Sequence, residues 1–188
     1  MIRTATEQDL DSILKIERLS FEVPWSLRSF RKALQKIFLV ENEVAGFLIA
    51  ECCHCRCNMA TIKKLGVHPE QRRTGIGKDL LDMGLTILMD RGIELVKLNV
   101  ESSRNPAIRL YTTFGFRITH SSFCNTAISF AMDSNASTFY TMELKINQKN
   151  TFSPHLPLNE NPKLNFNGIL PPFEAEGQDG AIWDEIIW

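Results

Sequence analysis

The residues best suited to chemistry lie between Leu65 and Lys78, in the order Leu-Gly-Val-His-Pro-Glu-Gln-Arg-Arg-Thr-Gly-Ile-Gly-Lys. An apolar run, Ala60 to Val67, stops at a His-Pro turn, and a basic loop spaced by glycines follows. Gly75 and Gly77 let backbone N–H groups approach a ligand where a Cβ would obstruct. A helix starting behind them adds exposed donors and partial positive charge. Arg72, Arg73 and Lys78 add full charges, and Thr74 and Ile76 complete the loop. The chemistry is capture of a pyrophosphate-like anion. The pattern lacks the three glycines and downstream acid of a dinucleotide site, and the Gly-Lys-Ser/Thr of a P-loop.

The elements that must position this loop follow from periodicity. Ile2 to Ala5 is a short strand. Thr6 is an N-cap with Asp9 three residues on, and Leu10, Ile13, Leu14 and Glu17 continue at helical spacing to about Leu19. Pro24-Trp25-Ser26 interrupts the pattern, and Ser26 caps a second helix carrying Phe30, Leu34 and Ile37. Phe38 to Glu41 and Val44 to Cys53 read as strands across a Glu-Asn-Glu turn, and Ala60 to Val67 as the next strand. A long helix runs from Gly77 to Arg91-Gly92, with the glycine as C-cap. Glu94 to Glu101 is a strand. Asn105 as N-cap and Pro106 at N1 open a helix to about Phe114, and Gly115 to Ile118 and Thr138 to Ile146 complete the strands. The order β-α-α-β-β-β-α-β-α-β-β predicts an α/β protein with a mixed central sheet and helices on both faces.

Composition narrows the function classes. The chain has 188 residues, 44% of them hydrophobic, and a net charge of −1. That suits one domain with a core and gives no reason to expect a nucleic acid or a membrane as partner. The N-terminus has acids and no apolar stretch of signal-peptide type, so a cytoplasmic location is expected. Of five cysteines, four fall in Cys52-Cys53-His54-Cys55-Arg56-Cys57 and one is Cys124. Thiolates and imidazole are zinc ligands. Zinc sites usually draw two separated pairs, however, so reduced cysteines at a hairpin tip and no metal are expected here.

The segment around Arg72, Gly75 and Gly77 resembles motif A of the GNAT N-acetyltransferases, R/Q-x-x-G-x-G/A, and the element order is that of the GNAT fold. The start of the chain, Ile2-Arg3, Ala5, Asp9-Leu10, Ile16-Glu17, Phe21 and Pro24-Trp25-Ser26, resembles the RimI-type enzymes. These acetylate a protein N-terminus, typically that of a ribosomal protein. So does Leu98-Asn99-Val100 through Ala107-Ile108, Leu110-Tyr111 and Gly115-Phe116. The resemblance spans residues 2 to 118, with a last strand to 146. It implies acetyl-CoA as co-substrate and a protein or peptide N-terminus as acceptor. It places the pantetheine arm on the backbone of Leu65, Gly66 and Val67. The Val67 N–H would then polarise the acetyl carbonyl, and the loop from Arg72 to Lys78 would take the pyrophosphate. Gly66 fits a bulge, a close ligand approach, or a small residue simply tolerated.

By the same resemblance Tyr111 would be the general acid that protonates the departing sulfur; the alternative is a core tyrosine that only packs its ring. The family glutamate before Val100 is Asn99 here, which can hold a water but not act as a base. Glu101, two residues on, shares its strand face and is either a base acting through water or a surface acid. The family asparagine falls on Arg104, with Asn105 one position late, so Asn105 is either a cofactor contact or a helix cap. An α-amine with pKa about 7.7–8.0 is roughly one-tenth neutral at pH 7, whereas a lysine amine is neutral in about one molecule in 2,500. Weak base catalysis therefore favours an N-terminal amine.

Between the last two strands, Thr119 to Ser137 lacks the paired tyrosines of RimI-type enzymes, and Ser137-Thr138 stand where their acids would. A small-molecule amine acetyltransferase and a weakly active acetyl-CoA-binding regulatory module are the alternatives. The acetyltransferase domain is expected over residues 1–146 and a tail over 147–188. The tail holds five prolines and six acids against two bases, and ends Ile182-Trp183-Asp184-Glu185-Ile186-Ile187-Trp188. It could stay extended, dock on the domain, or bind a partner.

Overall fold

Hydrophobic residues on both sides of the strands require cover on both faces, and the computed structural model supplies it. It describes residues 1–53, 58–124 and 137–146. The elements are β1 (Ile2–Thr4), α1 (Leu10–Ser20), α2 (Leu27–Ala33), β2 (Ile37–Glu41), β3 (Gly46–Cys52), β4 (Met59–Val67), α3 (Ile76–Asp90), β5 (Leu95–Glu101), α4 (Asn105–Thr113), β6 (Arg117–Cys124) and β7 (Ser137–Lys145). The sheet order is β1-β2-β3-β4-β5-β7-β6, antiparallel except for the β4–β5 pair. Alternate residues of β2 and β3 feed two cores. Leu39, Leu48 and Ala50 pack with Leu80, Leu81 and Leu85 of α3 and with Ala107 and Tyr111 of α4. Phe38, Val40, Phe47 and Ile49 pack with Leu10, Ile13 and Ile16 of α1 and with Phe30 and Ala33 of α2. Among the described residues no helix is long and apolar enough to cross a membrane.

Local chemistry explains most boundaries. Asp9 closes the first turn by accepting from the Thr6 N–H and hydroxyl at 2.7 and 2.8 Å. Ser26 caps α2 by accepting from Ser29 N at 3.2 Å. Gly92 ends α3 at a φ of 73°, where a Cβ is disfavoured.

Four expectations are corrected. Ile37 does not extend α2. The helix closes through Lys36 N to Ala33 O at 2.9 Å, and Ile37 pairs with Ala50 as the first residue of β2. Asn105 is the first residue of α4 rather than its cap, because Ala107 N and Ile108 N both donate to Arg104 O. β6 continues through Thr119 to Cys124, paired with β7, so this part of the expected loop is strand. The irregularity in β4 lies at Lys63, not at Gly66: Ile49 faces Lys64 while Ala50 faces Ile62.

The Cys53 N–H bonds to Met59 O at 2.8 Å, which closes the β3–β4 connection around the cysteine run. Residues 54–57 lie outside the described residues, as do 125–136 and the tail 147–188. Among the described residues no group of three His, Cys, Asp or Glu side chains could hold a metal.

Candidate active site

The β4–β5 pairing is brief. It runs from Met59↔Leu95 to Thr61↔Lys97 and stops, although β4 continues to Val67 and β5 to Glu101. The extra residue at Lys63 bends β4 just past the last pair, as a bulge does. Two parallel strands therefore part and leave a cleft with open backbone edges. His68 N donates to Ala45 O at 2.8 Å. In an antiparallel pair such contacts alternate, so the N–H groups of Val67 and Leu65 point away from β3 and into the cleft.

Gly66 points the other way. A Cβ there would lie 2.8 Å from Phe47 Cε1 and 3.4 Å from Phe21, so packing of these rings is what requires the glycine.

The cleft ends on the basic loop. After the turn Pro69–Gln71, Arg73 and Gly75 adopt φ of 69° and 97°, and α3 begins at Ile76. The Asp79 N–H is the first to be taken up, by Gly75 O at 3.0 Å. The N–H groups of residues 73 to 78 have no acceptor among the described residues. Six successive donors at a helix N-terminus form an anion cradle. The α3 dipole, Arg73 and Lys78 reinforce it. The Thr74 hydroxyl turns back to Gln71 O at 2.6 Å and fixes the loop.

Arg72 closes the Val67 end of the same β4 edge, since the Val67 carbonyl points to the same side as its N–H. Its guanidinium donates to Val67 O at 3.2 Å and to Ser20 Oγ at 3.1 Å, tying the end of β4 to the end of α1. Burial, and then the charge of Arg104 across the cleft, lower its pKa.

The residues expected to move protons divide between the two faces of the sheet. On β5, Val96, Leu98 and Val100 enter the α3-side core, so Asn99 and Glu101 share the face toward α1 and α2. Asn99 Oδ1 accepts from the Thr141 hydroxyl at 2.9 Å, and Glu101 accepts from Arg104 Nε at 3.0 Å. Tyr111 lies on the other face, 0% exposed, its ring edge-on to Phe116 at 5.7 Å. Between the two faces the sheet is unpaired where β4 and β5 part, beyond Thr61 and Lys97. Asn105 sits at the first turn of α4 beside Arg104.

One pair escaped the sequence reading. Glu17 and Lys64 form an ion pair at 0% and 1% side-chain exposure. The available signal was an acid on the apolar stripe of α1, opposite a lysine within an apolar strand.

The acetyltransferase (GNAT) family pattern matches residues 10–116. A ribosomal protein bS18-alanine N-acetyltransferase of Haemophilus ducreyi is 31% identical over 121 residues, which is 62% of this chain and 81% of that protein. The crystal structure of Ard1 from Thermoplasma volcanium superposes with a TM-score of 0.67 at 26% identity, covering 79% of this chain and 98% of that one. Arabidopsis thaliana NAA60 in complex with acetyl-CoA has the same fold, with a TM-score of 0.64 at 19% identity over 78% of this chain and 99% of that one.

Proposed function

The chain belongs to the acetyltransferase (GNAT) family, and from that premise we propose that the amine it acetylates is the α-amine at a protein N-terminus. The reaction class is acetyl-CoA-dependent N-acetylation. The observation that carries the proposal is the parted β4–β5 cleft ending on six N–H groups that have no partner among the described residues. An extended acyl carrier with a pyrophosphate needs both features. The thioester supplies an activated acetyl group whose transfer to nitrogen releases a thiol.

The chain's own groups then have distinct tasks. The N–H groups from Arg73 to Lys78 bind the pyrophosphate, and the open edges of Leu65 and Val67 hold the arm as a strand would. The Val67 N–H is placed to donate to the acetyl oxygen as negative charge develops there. As the new C–N bond forms and the C–S bond breaks, Tyr111 gives its phenolic proton to sulfur. The amine proton leaves through Glu101, directly or by a water held at Asn99. Arg72 holds Val67 in place, and Asn105 and Arg104 flank the cleft from the α4 side.

An N-terminal acceptor is supported by the named activity of the 31%-identical relative and by Asn99. With no carboxylate at that position, an amine already partly neutral at pH 7 is favoured over lysine. The test is thiol release from two peptides, one with a free N-terminus and no lysine, the other blocked and carrying one lysine. The free N-terminus gives the higher kcat/KM. A higher value on the lysine peptide, or turnover confined to small polyamines, sinks the proposal.

A further inference from the structure

The Glu17–Lys64 pair is the most deeply buried charge in the described chain and has no task in the reaction above. Burying two charges costs more than a well-packed apolar pair in the same space. The cost here is incompletely offset, because Glu17 Oε2 has no hydrogen-bond partner among the described residues. Burial pushes the Glu17 carboxyl up, with Lys64 opposing. A stability role accounts poorly for such an arrangement.

Its contacts show what it holds. Glu17 Oε1 accepts from Lys64 Nζ and, at 2.7 Å, from the backbone N–H of Trp25. Lys64 Nζ lies 3.6 Å from the centre of the Phe21 ring and 5.1 Å from that of Trp25. Both ends of the α1–α2 connection are thereby tied to one ion pair that joins α1 to β4. Lys64 immediately precedes Leu65, Gly66 and Val67, and Phe21 covers Gly66. The connection stands on the same sheet face as Asn99 and Glu101, opposite to Tyr111. It presents Val23 to solvent at 73% exposure, flanked by Leu19 at the end of α1 and Leu27 at the start of α2, which are 58% and 36% exposed.

We propose that Glu17 and Lys64 are positioning residues for the acceptor: they fix the Phe21–Trp25 connection over the end of β4 as the wall against which the incoming peptide is held. The proposal rests on the N-terminal acceptor reading and adds how the acceptor is placed. On the proposed reading the acyl carrier takes the cleft edge of β4 and the loop after it, whereas the Lys64 side chain packs on the Phe21 and Trp25 rings. Loosening the connection therefore affects one substrate only.

The test replaces both charges at once, Glu17→Met with Lys64→Met, because an apolar pair fills the space without leaving a lone charge. The variant binds acetyl-CoA as the parent does, whereas its KM for the free-N-terminus peptide rises about tenfold with kcat within about twofold. Glu17→Asp, which keeps the charge but withdraws the acceptor atom from Trp25 N, shifts the acceptor KM in the same direction and serves if the double variant does not fold. A folded variant of either kind with the parental acceptor KM overturns the proposal. So does an equal rise in the acetyl-CoA KM, which would mark general disruption. If the parent turns over neither peptide, the acceptor reading has failed by itself. Amide exchange over residues 21–26 then decides the anchor: faster exchange in the double variant supports it, and unchanged exchange overturns it.

Discussion

Tyr111 brings a phenol into a core cluster from the face opposite Asn99 and Glu101, so its hydroxyl and the carboxylate can serve one reaction only across the gap between β4 and β5. Tyr111→Phe keeps the ring against Phe116 and removes the proton. The expected outcome is a fall in kcat of about 100-fold with acetyl-CoA affinity unchanged, read by steady-state thiol release and calorimetry. Asp9 carries a structural charge. It accepts two hydrogen bonds from Arg3, at 2.7 and 2.8 Å, and two from Thr6. The Arg3 bond, and then the Thr6 bonds, hold its carboxyl well below the usual range despite burial. A depressed carboxylate stabilises the fold above its unfolded pKa of about 3.9 and loses that effect as pH falls toward the folded value. Asp9→Asn should therefore lower stability by about 1–3 kcal/mol at pH 7. The difference from the parent should shrink below about pH 4, as urea titrations at pH 7 and pH 3 would show.

The loop between β4 and α3 and the helix behind it work as one element. The donors are collected by a turn that only a positive φ allows, and Gly75 supplies it at 97°. A Cβ at Gly75 would meet nothing within 4 Å, so the constraint is conformational rather than steric crowding. Forcing alanine into that region costs about 1–2 kcal/mol. Gly75→Ala is expected to weaken acetyl-CoA binding about tenfold by calorimetry, with the acceptor KM unaltered. Gly75 was legible in the sequence because local backbone demand selects the residue type. Gly66 was not, because its reason is a ring from β3 lying across it. Ile37 was misassigned for a related reason. Its spacing from Phe30 and Leu34 fits a helix, and only pairing with Ala50 places it in a strand.

At the scale of the molecule, the cleft exists because the sheet is incomplete in one place and packed on both faces elsewhere. On the proposed reading a carrier filling it would bridge β4, the α3 N-terminus and α4, and binding would then be linked to folding. Acetyl-CoA at about 100 times its Kd should add about 2.7 kcal/mol, raising Tm by roughly 5–10 °C for a chain of this size. A scanning-calorimetry shift near zero would mean that the cradle does not bind the carrier. The sequence by itself determined the element order, the caps at Thr6 and Ser26, the glycine-spaced basic turn before α3 and the family, because each is written in residues adjacent or periodic along the chain. The tertiary structure decided where the strands part, that Arg72 braces Val67 and Ser20, that Tyr111 and Glu101 stand on opposite faces, and that Glu17 meets Lys64. These depend on contacts between residues far apart in the chain. A single sequence carries no record of such contacts beyond an acid and a lysine in places where apolar residues were expected.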